Sequence, residues 1–204
     1  MASPIPLHPP RQARSRATHR RLLDATVACL VELGYAGTTT PRICARAGVS
    51  QGALFKHFSS KAALLAATVQ HLFEFLVEDY RRSFATLAGS ADPLQAAVEL
   101  LRDTFARPEL HAAVELMVAG RCDTGLAAAL APVQRTHREN LRQAAAQLFP
   151  GASDHPDFDV TLDLLLASLQ GAALSELALP DPQAEARRVA ALVALARPIV
   201  GGRS

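Results

Sequence analysis

Tryptophan is absent from the 204 residues, cysteine occurs three times, and the Asn-Gly and Asp-Gly pairs that mark tight β-hairpins do not appear. Cys29, Cys44 and Cys122 are odd in number, far apart and without paired spacing, which excludes a disulfide scaffold and fits reduced thiols in a cytosolic protein. Long hydrophobic runs are also lacking. The longest uncharged run near the end, Leu164 to Ser175, lies between Asp163 and Glu176 and falls short of the ~20 residues a spanning helix needs, so no membrane span is expected. The opening MASPIPLHPP holds no apolar core segment and does not read as a secretory signal. No Gly-rich phosphate loop or HExxH occurs, and the expectation is of no enzyme, no cofactor and no metal. What the chain does have is apolar content: half its residues are hydrophobic, enough to build one or two packed domains and to exclude extended disorder for most of its length.

Acidic residues are scarce at one end. Residues 1–61 contain nine Lys or Arg against only Asp24 and Glu32, a net +7, whereas residues 62–204 carry the other twelve bases and seventeen acids, a net −5. The total of +2 hides this division. A basic head on a mildly acidic body suggests one module for a polyanion and another for a different task.

Helical periodicity runs along most of the chain. Residues 1–16 carry four prolines in the first ten positions and then Arg11, Arg14 and Arg16, so an arm without helix is expected over 1–17. From Thr18, the positions Leu22, Leu23, Thr26, Val27, Leu30 and Val31 recur at helical steps up to Gly34. A short helix is expected from Thr38-Thr39-Thr40-Pro41 to Gly48, and another from the cap Ser50 through Gln51, Leu54 and Phe55 to His57. A long helix follows, Lys61 to Leu87. Others are expected from Asp92-Pro93 to about Ala106, Pro108 to about Gly120, Gly125 to Phe149 on either side of Pro132, Phe158 to Leu179, and Gln183 to Arg197. The fold is therefore expected to be all-α, with about nine helices: a three-helix N-terminal domain over 18–61 and a larger helical domain over 62–204.

The two short helices around Ala47-Gly48-Val49 have the form of a helix-turn-helix, in which Gly permits the turn and the second helix enters the major groove. Ile43, Ala47, Val49, Leu54 and Phe58 are the expected packing residues, leaving Gln51, Gly52, Ala53 and Lys56 outward. Gln pairs with adenine, Lys reaches guanine, and Gly and Ala allow close approach to base edges.

These residues also resemble a family. Gly34-Tyr35-Ala36-Gly37-Thr38-Thr39, Ile43, then Ala47-Gly48-Val49-Ser50-Gln51-Gly52-Ala53-Leu54-Phe55-Lys56-His57-Phe58, with Lys61 and Leu64, resemble the DNA-binding domain of TetR-family transcriptional regulators over about residues 18–65. The resemblance implies that Thr39, His57 and Lys61 hold phosphates, that Ser50, Gln51, Gly52, Ala53 and Lys56 form the reading helix, that Arg42 touches base or backbone, and that Arg14 and Arg16 follow a phosphate track or the minor groove. Phe55 stands where the family often has Tyr, so a phenol contact to phosphate is lost; it stays among the expected DNA-binding residues, with packing alone as the other reading. Cys44 stands where the family often has Ala, a small buried residue either way.

The resemblance further implies a homodimer built from the last two helices, a near-palindromic double-stranded DNA operator, and repression relieved by an unknown small-molecule effector. The long helix from Lys61 becomes the lever between the two parts. Phe73, Phe105, Met117 and Arg121 are the candidate pocket residues. The alternative from another class is a helical enzyme or ligand carrier with an incidental basic face. Asp154, His155, Asp157 and Asp159 offer metal ligands but lack the Gly and closing Glu of a calcium loop. A redox switch at Cys44 or Cys122 lacks the exposed thiolate beside a second cysteine that such switches use.

Overall fold

The computed structural model describes residues 11–87 and 89–200, and among these it contains nine α-helices and no strand. They are α1 (Arg11–Gly37), α2 (Thr40–Ala47), α3 (Gln51–His57), α4 (Lys61–Leu87), α5 (Pro93–Phe105), α6 (Pro108–Ala119), α7 (Thr124–Leu148), α8 (Phe158–Glu176) and α9 (Pro182–Val200). The all-α expectation holds.

Short polar side chains set most of the starts. Ser50, Ser60, Asp92, Asp123 and Asp181 each accept a hydrogen bond from a free backbone N–H in the first turn, at 2.9–3.1 Å, which relieves one of the orphan donors there. Pro41, Pro93, Pro108 and Pro182 sit in first turns, where the missing N–H costs nothing. Gly48 ends α2 in the left-handed region (φ 64°, ψ 40°), a conformation that L side chains enter only with strain.

Several boundaries differ from the periodicity. α1 begins at Arg11 rather than Thr18, so Arg14 and Arg16 are helical and exposed instead of lying in an arm without helix. The prolines that argued against helix stop at Pro10, and Arg, Gln and Ala after them are good helix formers. The rest of the expected arm, residues 1–10, lies outside the described residues. Gly34 breaks α1 with non-helical angles (φ 64°, ψ −179°), and one more turn follows to Gly37. α7 runs unbroken through Pro132, which is exposed.

Buried side chains form two clusters, and they meet within α4. Leu22, Leu23, Cys29, Ile43, Cys44, Ala47, Leu54, Phe58 and Leu64 belong to a small core beneath α2 and α3. Beginning at the next residue, Leu65, Val69, Phe73, Leu76 and Tyr80 belong to a larger core with α5 to α9. α4 lies along α7, while α5 packs on α8 and α9.

α8 modifies the expectation about membrane spans. It is 19 residues with mean hydropathy 1.2, long and apolar enough by length and composition to cross a bilayer. The count of uncharged residues had excluded Asp159 and Asp163, but α7 holds both: Arg142 bonds Asp159 at 2.7 Å, and Arg138 bonds Asp163. Much of the rest of α8 is uncovered, with Val160, Leu164 and Leu174 exposed and Leu177 exposed just beyond it.

Candidate nucleic-acid interface

The small core fixes the orientation of α3. Leu54 is fully buried and Phe58 nearly so, anchoring one side of the helix, and Val49 packs partly against the same cluster. Gln51, Gly52, Phe55 and Lys56 then lie on one exposed arc, with Ala53 and His57 half-buried at its edges. Nothing but the Ser50 hydroxyl lies near the position a Cβ would take on Gly52, so the helix surface there is flat and open to close approach. Phe55 is 49% exposed, so packing alone does not account for it. It belongs to the outward arc, because the core side is filled by Leu54 and Phe58.

Around α3 stand the other expected contacts. Thr39 precedes α2 in extended conformation, exposed, with a hydroxyl that makes no capping bond. Arg42 donates to the Gly37 carbonyl at 2.8 Å, which draws its guanidinium to the end of α1. Arg46 pairs with Glu32 through both carboxylate oxygens at 2.6–2.7 Å, tying α2 to α1. His57 meets His19 edge to face, ring centroids 5.8 Å apart, and His19 also rests on Phe58 at 4.9 Å. Burial, and then the neighbouring His57, push the His19 imidazole below its ordinary pKa.

Lys61 occupies a cluster that periodicity does not reveal. Its Nζ sits 4.6 Å from the centroid of the Tyr35 ring, and burial lowers its pKa against the opposing pull of Asp123. Tyr35 donates its hydroxyl to Asp123 Oδ2 at 3.2 Å, and its backbone N–H donates to Glu115 Oε1 at 2.9 Å. Burial and the bond to Asp123 push the Tyr35 phenol up. Glu115 on α6 and Asp123 at the cap of α7 thereby clamp the end of α1 and the start of α4 to the larger core. Tyr35 is visible in the sequence, but no local signal pairs it with a residue 88 positions away.

A half-open cleft of about 620 Å³ lies against the larger core, between α4 and α8. Phe73, Phe105 and Met117 line it, while Arg121 does not: it is exposed in the turn after α6. His137 was missed. Its ring stacks on Phe73 at 3.7 Å and 13°, its Nδ1 is buried without a hydrogen-bond partner, and desolvation pushes its pKa down to about 4. Elsewhere, Cys29 and Cys44 are buried, the Cys44 thiol is pushed up by burial, and Cys122 is exposed. Of the acidic loop residues, Asp159 is bound by Arg142, and His155 Nδ1 accepts the Asp157 N–H at 3.1 Å.

A small helical head with an exposed reading helix, joined through one continuous helix to a hollow helical body, defines a helix-turn-helix DNA-binding transcriptional regulator. The family model for bacterial regulatory proteins of the tetR family matches residues 22–68, which cover that head and the start of α4. The chain is 35% identical over 187 residues to the uncharacterized HTH-type transcriptional regulator Mb2936c of Mycobacterium bovis, covering 91% of this chain and 95% of that one. It therefore belongs to the tetR family of bacterial regulators. Among solved structures, a TetR-family regulator from Mesorhizobium loti aligns with a TM-score of 0.69 at 17% identity, over 92% of this chain and 97% of that one. The multidrug binding protein EbrR, complexed with imidazole, aligns with a TM-score of 0.66 at 22% identity, over 87% and 93%. These likenesses carry the shared fold. With relatives that are regulators, the reading as a helical enzyme is set aside.

Proposed function

We propose that the protein is a cytoplasmic homodimeric repressor that holds a near-palindromic operator with two copies of α3 and lets go when a small molecule occupies the α4–α8 cavity. The observation that carries the reading is the outward arc of α3, polar and charged over a filled core. Gln51 and Lys56 read base edges there, and Gly52 and Ala53 let the helix come close. Ser50, Thr39, His57 and Lys61 hold the phosphates, Arg42 and the exposed aromatic Phe55 border the groove, and Arg14 and Arg16 extend the basic track along α1. Residues 18–61 act as the reading domain and 62–204 as the sensing and pairing domain, a division supported by the separate cores that meet at Leu64 and Leu65.

Pairing is supported by the uncovered apolar surface of the last two helices and the turn between them, where Leu164, Leu174, Leu177, Leu179 and Leu195 are all exposed. A two-fold partner on that surface sets the two reading helices about one DNA turn apart, roughly 34 Å, or a multiple of it. An effector in the cavity shifts DNA affinity only through a different affinity for the two spacings of the heads. EbrR is described as a multidrug binding protein, and its likeness to this fold supports a ligand in the body here.

Selection of genomic DNA fragments on the purified protein tests the reading. A single enriched two-fold motif is expected, with Lys61→Ala weakening binding evenly across sequences and Gln51→Ala changing the preferred bases. Enrichment of no motif would refute it.

A further inference from the structure

The wall of the cavity carries a charge pattern that specifies what enters it. Its floor is apolar and buried: Phe73 from α4, Leu110, Ala113 and Val114 from α6, and Leu141 from α7. Its mouth is polar, on α7 and α8, and all three of its charged side chains stand there: the exposed Arg135 and Arg138 and the half-buried Asp163. Arg138 and Asp163 pair with one another. Arg135 makes no ion pair among the described residues, and no other acid lines the cavity. His137, whose ring lines the wall beside Phe73, is neutral near pH 7 because burial disfavours its charged form. The cavity wall thus holds one uncompensated positive charge, although residues 62–204 as a whole carry an excess of acids. A cationic ligand would meet only an acid already taken by Arg138.

We propose that the cavity binds an amphipathic monoanion, a compact apolar body seated on the floor with a single acidic group set against Arg135. The proposal rests on the reading of this cavity as the effector site. A volume of about 620 Å³ lies within the range of ordinary small-molecule pockets, roughly 300–1,000 Å³. The flat Phe73–His137 stack offers an aromatic surface to that body, and Arg135 supplies a charge-assisted hydrogen bond at the mouth. Arg138 becomes a second contact when the incoming acid competes with Asp163.

Three matched probes separate the possibilities: 2-naphthoate, 2-naphthylmethanol and 2-naphthylmethylammonium, titrated by calorimetry into the full-length protein at pH 7. The naphthoate is expected to bind about tenfold more tightly than the alcohol, with the ammonium weakest, since a partly exposed ion pair adds a modest factor. Arg135→Gln brings the naphthoate down to the level of the alcohol and leaves the alcohol unchanged. Ala167→Trp, which adds bulk at the cavity wall on α8, abolishes all binding. If the alcohol or the ammonium binds as well as the acid, or if Arg135→Gln leaves the acid's affinity intact, the monoanion class is wrong while the effector cavity stands. If no probe binds, or all three bind Ala167→Trp unchanged, the class and the cavity's role fall together, with the DNA-reading assignment still judged by its own selection.

Discussion

Stability toward acid provides a direct test of the neutral histidine in the core. His137 has a folded pKa of about 4 against an ordinary value of 6.5, so the unfolded chain takes up a proton that the folded one refuses. The sign follows from that difference. A lowered histidine pKa leaves stability untouched above about 6.5 and removes it progressively as pH falls toward about 4. At pH 5 the unfolded side chain is protonated about 30-fold over neutral while the folded one is mostly neutral, so the loss between pH 7 and pH 5 is about 2 kcal/mol. That is an upper value, because the side chain is only partly enclosed by area. For a chain of this size it corresponds to a melting temperature lower by about 4–8 °C. The assay is urea unfolding at pH 7 and pH 5, at one protein concentration, on the natural protein and on His137→Phe, which keeps an aromatic ring against Phe73. His19, whose pKa is lowered in the same direction, is common to both proteins, so the difference between them isolates position 137. Equal pH dependence in the two, to within about 0.5 kcal/mol, would refute the reasoning.

Three further outcomes are expected. Gly48→Ala meets no atom within 4 Å of the new Cβ, so its cost is the left-handed backbone alone, about 1–2 kcal/mol, read as a lower urea midpoint. Leu54→Ala empties a fully buried position beneath the reading helix and costs about 2–5 kcal/mol; a smaller loss in calorimetric unfolding would mean the small core is not closely packed. Arg14→Gln with Arg16→Gln lowers the slope of log affinity for DNA against log salt by about 2 and leaves the recovered motif the same; a changed motif would place these residues on base edges instead.

The outline of the fold could be read from apolar spacing because helix packing and helix caps are local matters. The 3.6-residue period of α1 and α4 and the caps Ser50, Asp92 and Asp123 all sit within one or two turns of what they control. The start of α1 departs from the pattern because the prolines stop at position 10, and Arg11 to Arg16 are residues that sustain a helix. Phe55 lies outward because Leu54 and Phe58 fill the inner face of the short helix. Local pattern could not supply the long-range pairs. Tyr35 with Asp123, Tyr35 with Glu115 and Phe73 with His137 join helices far apart in the chain, and each depends on how the two cores are docked. Met117 and Arg121 are four positions apart, yet one lines the cavity and the other lies outside it, because α6 ends at Ala119 between them.

The meeting of the two cores inside one unbroken helix has a geometric consequence. α4 is 27 residues long and spans about 40 Å, with Lys61 at one end and Phe73 about 18 Å along it. If the far end near Leu87 stays fixed, a rigid tilt that moves Phe73 by 1 Å moves Lys61 by about 1.9 Å, so a displacement on the scale of one side-chain repacking leaves the cavity nearly doubled. Hydrogen bonds to phosphate and base edges weaken over distances smaller than that. Length alone gives the helix this leverage, and the bonds of Tyr35 to Asp123 and Glu115 beside Lys61 set how far its first turn can follow such a tilt.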